Sequence, residues 1–196
     1  MTAGPPRGAR PADERHAPVA TARELRVITI PDGKDDLLPA GTTVQVTQTL
    51  GNSYTVKLER GAKVRVRGED GDAIGQPRIG AGKVVPTAQT VPALATAANQ
   101  ALRKVFDPEI PVDIVNLGLV HELLIEPKPD GTFQAKVRMG LTSPGCGMGD
   151  VLVRDVQSAL LNIEGVSSVD AQVVLFPVWN PYTMMSEAAK LKLGML

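Results

Sequence analysis

The sequence predicts an α+β protein: a small N-terminal β-barrel-like domain, then an α-β-β-α-β domain that closes on a short C-terminal helix. Three observations carry this reading. Between Leu25 and Arg67 lie four short segments of β-branched or alternating character, separated by turn residues. Beyond a stretch rich in glycine and proline, apolar residues recur twice at helical spacing, over Pro92–Phe106 and Asp150–Ile163. Further alternating segments lie between and after those two helices.

The first strand, Leu25–Ile30, stops at Pro31-Asp32-Gly33. Thr42–Leu50 alternates polar and apolar residues and ends at Gly51-Asn52. Tyr54–Leu58 and Ala62–Arg67 follow, with Glu59-Arg60-Gly61 as the hairpin turn between them. With Tyr54 as its one aromatic residue, this unit must build its core from valine and leucine. A unit of this size is marginal alone, which favours docking on the rest of the chain. Residues 1–22 are rich in proline and arginine and poor in large apolar side chains, so a disordered leader is expected there. Residues 23–75 form the β domain, 76–91 read as a linker, and 92–196 as the α+β domain.

In that second domain Leu94, Ala98, Leu102 and Val105 make a helical stripe that opens with Pro92 in its first turn. Leu119–Ile125 and the alternating Phe133, Ala135, Val137, Met139 and Leu141 read as a hairpin turning at Pro129-Asp130-Gly131. Leu152, Val156, Leu160 and Ile163 mark one face of the second helix, with Gly165 as its stop. Val169, Ala171, Val173 and Leu175 form the third strand, and the last helix runs from about Met184 to Leu193.

Composition removes several function classes. The chain has 196 residues, 43% of them hydrophobic, with 21 basic and 21 acidic side chains. Charge balance argues against a general nucleic-acid binder. No stretch approaches the ~18 apolar residues of a membrane span, and no signal-peptide core is present, so a cytoplasmic protein without membrane partners is expected. One cysteine forbids an intrachain disulfide, and with two histidines it forbids a self-contained zinc finger.

Chemistry is concentrated in Leu141-Thr142-Ser143-Pro144-Gly145-Cys146-Gly147-Met148-Gly149-Asp150. A strand ends, a Pro/Gly turn exposes backbone, and a helix begins. A cysteine just ahead of a helix meets the positive end of the macrodipole, which favours thiolate. The competing reading is a buried cysteine acting as a small hydrophobe; the Pro-Gly-Cys-Gly flanks argue against it. A second cluster, Phe106 to Gly118, carries Asp107, Glu109, Asp113 and Asn116 on a path stiffened by Pro108 and Pro111. Asp107 and Asn116 either line a site with Cys146 or bond the turn backbone, and Glu109 and Asp113 read more simply as solvated surface. His121, at the parity of Leu119 and Leu123, reads as structural; a Cys146–His121–Asp107 thiol triad is the catalytic alternative. Lys63, Arg65 and Arg67 share one strand face, either a solvated edge or a surface for an acidic partner. Gly80-Ala81-Gly82-Lys83 lacks the spacing of a phosphate loop and is rejected. Met184-Met185 reads as helix packing.

Asp107-Pro-Glu-Ile-Pro-Val112 through Asn116-Leu-Gly-Leu-Val120, followed by Thr142-Ser-Pro-Gly-Cys-Gly-Met-Gly149, resemble the small domain of iron–sulfur assembly factors that is shared with PaaD. Leu38-Pro-Ala-Gly-Thr42, Thr47–Val56, Pro177-Val-Trp-Asn-Pro181 and Met184-Met-Ser-Glu-Ala188 extend the resemblance to the SufT type, from about Arg23 to Leu196. The resemblance implies a non-enzymatic factor for iron–sulfur cluster maturation, with Cys146 as functional thiol and transient cluster ligand. Asp107, Glu109, Thr142 and Asn116 are the implied supporting residues, and the assembly machinery and client apo-proteins the implied partners. Leu25 stands where that type carries a cysteine, Asp113 and Asn116 are exchanged relative to its usual Asn and Asp, and Gly140 replaces a common Thr.

Iron–sulfur clusters take about four thiolates or equivalents. Cys146 supplies one, so no cofactor is expected to be stably bound; a labile cluster would be shared between chains, as in a homodimer, or handed over. Two readings compete with this one: a thiol-dependent enzyme with His121 as base, and an adaptor or scaffold whose β domain and tail recruit partners.

Overall fold

The computed structural model describes residues 17–80, 82–107, 110–143 and 147–195. Six strands build the N-terminal sheet: β1 (Val19–Ala20), β2 (Leu25–Ile30), β3 (Asp35–Leu38), β4 (Thr43–Leu50), β5 (Ser53–Leu58) and β6 (Lys63–Arg67). They pair antiparallel throughout in the order β1-β4-β5-β6-β2-β3. Alternation decides the faces. Val27 lies opposite Val66, Val46 opposite Val56, and Val56 opposite Val64. These side chains, with Leu25, Leu38 and Tyr54, fill one buried cluster. A bulge between Val46 and Gln48 shifts the pairing of β4 with β5.

Three features differ from expectation. The leader read as disordered over 1–22 is structured by its end: Val19 and Ala20 pair with β4, and Thr21 is buried and bonded through its hydroxyl to the Pro39 carbonyl. Residues 1–16 lie outside the described residues. Asp35–Leu38, too short and acidic to show alternation, becomes a strand because β2 supplies its ladder partners. Gly68–Ile74 forms a 3₁₀ turn that drops Ala73 and Ile74 into the core of the sheet. The strand order has two ends, β1 and β3, rather than a closed ladder.

In the C-terminal half α1 (Val91–Leu102) precedes the hairpin β7 (Val120–Pro127) and β8 (Phe133–Met139). Then come α2 (Gly149–Leu161), β9 (Val166–Val173), α3 (Pro181–Met184) and α4 (Glu187–Lys192). The sheet order is β7-β8-β9, with β8 and β9 parallel because α2 crosses between them. Ala135, Val137 and Met139 present one face of the sheet to Leu94, Ala98 and Leu102 of α1 and Leu152, Val156 and Leu160 of α2. The mixed α+β architecture is thus as the periodicities require.

The segment read as a linker takes part in this domain. Val84 bridges Ile163, its N–H donating to the Asn162 carbonyl and its own carbonyl accepting from the Glu164 N–H. The third strand stops at Val173, leaving Leu175 exposed where alternation placed it in the sheet. The single helix expected from Met184 is two helices, broken at the extended Met185, whose side chain is buried in the core. Ser186 caps α4 by accepting from the Ala189 N–H at 3.2 Å.

Candidate functional site

The turn between α1 and β7 is built by its polar residues. Phe106 bridges Asp113, and the Asp113 carboxylate accepts from the Asn116 N–H at 3.0 Å and from the Asn116 amide at 2.7 Å. Asp113 is almost fully buried, which corrects its reading as solvated surface. Asn116 passes the network on: its side-chain carbonyl accepts from the Ser186 hydroxyl at 2.9 Å, and its backbone carbonyl from the Ser186 N–H. Trp179 donates its indole N–H to the Leu117 carbonyl at 2.7 Å. The C-terminal segment is therefore strapped across this turn. Asn116 belongs to that strap.

Asp107 goes elsewhere. Its carboxylate accepts from the Thr142 hydroxyl at 3.2 Å, across 35 residues of sequence. This bond joins the start of the acidic cluster to the strand end that leads into Pro144-Gly145-Cys146. Cys146 and Glu109 lie outside the described residues. Of the residues singled out from sequence, the structure brings Asp107 and Thr142 together and sends Asn116 to the C-terminal strap.

Asp107 and Thr142 also line a small crevice together with Phe106, Met148, Arg65 and Asp155. Arg65 comes from β6 of the N-terminal sheet, and its guanidinium meets the Asp155 carboxylate of α2 at 2.5 Å. Burial pushes the Asp155 carboxyl above its ordinary range, and the Arg65 charge opposes that shift. Arg154 pairs with Asp35 at 3.2 Å beside it. The acidic partner of the Lys63–Arg65–Arg67 face is thus the protein's own helix α2, at least for Arg65. Period-2 alternation flagged the face, but its partner lies 90 residues away.

Glycine turns complete the docking. Gly33, at φ +69°, packs so closely on Gly147 that a Cβ there would overlap the Gly147 carbonyl oxygen. A Cβ on Gly147 would in turn overlap the Asp32 carbonyl oxygen. Gly51, at φ +54°, seats against the Lys104 carbonyl in the same way. Two hairpin turns of the N-terminal sheet therefore rest backbone to backbone on the α+β domain. Between the docked units runs a groove of about 780 Å³, bounded by β2, β6, α1 and α2.

His121 sits where a bulge between Val120 and Glu122 interrupts the ladder, and like Leu123 it is half-buried. Its ring lies over Gly140, and a Cβ at Gly140 would overlap Nε2. That nitrogen is buried without a hydrogen-bond partner among the described residues. Also among the described residues, no group of three or more His, Cys, Asp or Glu side chains is arranged to hold a metal, and no helix is long and apolar enough to cross a membrane.

In this α+β domain the Asp107–Thr142 pair stands at the strand end that leads, in sequence, to the glycine-flanked cysteine. Residues 96–173 match the iron–sulfur cluster assembly protein family. A Porphyromonas gingivalis Fe-S protein maturation auxiliary factor is 40% identical over 95 residues, 86% of its own length and 48% of this chain. The Bacillus subtilis Fe-S protein maturation auxiliary factor YitW is 39% identical over 87% of its length and 48% of this chain. The Staphylococcus aureus Fe-S protein maturation auxiliary factor SufT is 39% identical over 97% of its length and 46% of this chain. The chain belongs to the iron–sulfur cluster assembly family and is of the SufT type.

Proposed function

We propose that this protein is a non-enzymatic maturation factor that assists assembly or delivery of iron–sulfur clusters on client proteins through Cys146. The observation that carries the reading is the Asp107–Thr142 hydrogen bond. It joins the first residue of the acidic turn to the strand end that leads, in sequence, toward Cys146, which supports reading the two motifs as parts of one site. Cys146 contributes a single thiolate toward the roughly four ligands a cluster takes. The cluster is then cargo: bound transiently between this chain and an assembly protein, a client or a second copy, in the cytoplasm. Asp107 orients the segment through Thr142, and Asn116 acts at one remove by holding the turn; Glu109, which lies outside the described residues, joins them as the acidic residue the family pattern implies.

Cys146→Ser removes the ligand while keeping the side chain's size. It is expected to depress the activity of iron–sulfur client enzymes in cells under iron limitation and to leave the far-ultraviolet circular dichroism unchanged. Client activity at the wild-type level would end the thiol reading.

One observation favours a second reading, a thiol-dependent enzyme: His121 Nε2 lies over Gly140, buried and without a hydrogen-bond partner among the described residues. If His121 were the base for Cys146, His121→Gln would move the pH midpoint of Cys146 alkylation. On the maturation-factor reading the midpoint stays put.

A further inference from the structure

The family match begins at residue 96, so it assigns nothing to a groove whose one wall is the N-terminal sheet. Strand alternation builds that wall. Val27, Val64 and Val66 turn into the sheet core, so Arg26, Ile28, Arg65 and Arg67 share the opposite face, toward the helices. On β3, Leu37 lies opposite Arg26 and Asp35 opposite Ile28, which puts both on this same face. The far wall is α2, with Lys104 just beyond the end of α1, and Val84 and Ala159 add apolar surface. Leu37 is half exposed in the groove.

The charges there do not cancel. Asp155 is taken by Arg65, Asp35 by Arg154 and Glu69 by Arg67. Asp36 lies opposite Val27 and so belongs to the other face of the sheet. Arg26 and Lys104 line the groove, are exposed, and have no ion pair or side-chain hydrogen bond among the described residues.

We infer that this groove docks a short acidic segment of a partner protein, its carboxylates meeting Arg26 and Lys104 and its aliphatic side chains covering Ile28, Leu37 and Val84. Charge complementarity selects the occupant. Two cations left over among three ion pairs suit a few separated carboxylates. A nucleic acid brings evenly spaced phosphates, which would also run against Asp35 and Glu69. The apolar wall favours aliphatic residues between the carboxylates. The inference rests on the maturation-factor reading only for which protein carries the segment, an assembly protein or a client.

A phage-displayed library of random short peptides, selected on the full-length protein, tests this. The selected peptides are expected to combine Asp or Glu with Leu, Ile or Val. Resynthesised with a fluorophore and titrated by anisotropy, they are expected to bind Arg26→Gln with Lys104→Gln about tenfold more weakly than wild type. Ser158→Trp sets a large ring on an exposed, groove-lining position of α2 without changing charge, and is expected to weaken binding as well. Lys57→Gln with Arg60→Gln removes two exposed cations that do not line the groove, and should stay within about twofold of wild type. Circular dichroism confirms that each variant is folded. The inference requires both groove variants to lose affinity. A selection without acidic enrichment overturns it, as do equal losses in the two charge variants, or a single-stranded DNA that binds the groove more tightly than the peptides. None of these results touches the Cys146→Ser client assay, so failure of this inference and failure of the functional reading are separable.

Discussion

The two halves of this molecule solve the same packing problem with different materials. The N-terminal sheet buries a thin core of valine and leucine around a single tyrosine, and it borrows rigidity from its neighbour through two glycine turns and the Arg65–Asp155 pair. The α+β domain buries two helices against a three-stranded sheet and secures its acidic turn with a satisfied polar network. The family match falls on the second half. The difference teaches that the half matched by the family secures its own turn from within, while the sheet attached to it leans on its neighbour.

The largest expected effect tests that contrast directly. Tyr54 is fully buried in the sheet core and donates its hydroxyl to the Pro77 carbonyl at 2.6 Å. Tyr54→Ala is expected to cost about 3–5 kcal/mol, by analogy with other buried aromatic truncations. Leu160→Ala in the other core is expected to cost about 2–5 kcal/mol. If the sheet leans on its neighbour, Tyr54→Ala should melt the N-terminal half first, in a separate early transition, whereas Leu160→Ala should bring both halves down together. Urea unfolding followed by Trp179 fluorescence and by circular dichroism distinguishes the two. Coincident transitions in both variants would break the comparison.

A smaller effect sharpens the account of the acidic turn. Asn116→Ala strips partners from the nearly buried Asp113 carboxylate and from Ser186, and should cost about 1–3 kcal/mol by chemical denaturation. Asn116→Asp with Asp113→Asn, the reverse arrangement, should cost much less, because an amide still faces a carboxylate.

The smallest effect is electrostatic. The Arg138 guanidinium beside Asp170 holds that carboxyl below its ordinary value of 3.8, with Gln172 assisting. Because the folded carboxyl titrates below the unfolded one, the stability it contributes is present above the unfolded value and fades as pH falls through the folded one. Carboxyl-carbon NMR titration should place Asp170 under the usual aspartate range, and Arg138→Met should return it toward 3.8. The surface position of the pair keeps its effect on stability slight.

Much of the fold could be read because its elements are long and periodic. Leu152, Val156 and Leu160 show their helix face in the sequence, as Ala135, Val137 and Met139 show their strand face. Elements that took their conformation from neighbours could not be read that way. Asp35–Leu38 is a strand because β2 lies beside it, and Val84 joins the second domain through its bridge to Ile163 and its packing on the core there. For the site, sequence reasoning brought Asp107 and Thr142 into view. It could not show that they touch, nor that Asn116 faces Ser186 instead.

By itself, then, the sequence determined the α+β class, the two halves, and the place of the solitary cysteine between a strand end and a helix start. These follow from local periodicity and turn chemistry, which a chain carries at each position. Only the tertiary structure decided which distant groups share an address: Asp107 with Thr142, Arg65 with Asp155, Gly33 with Gly147. Such pairings depend on how two packed layers meet, and a sequence records that meeting only as residues that are small enough, or charged enough, to permit it.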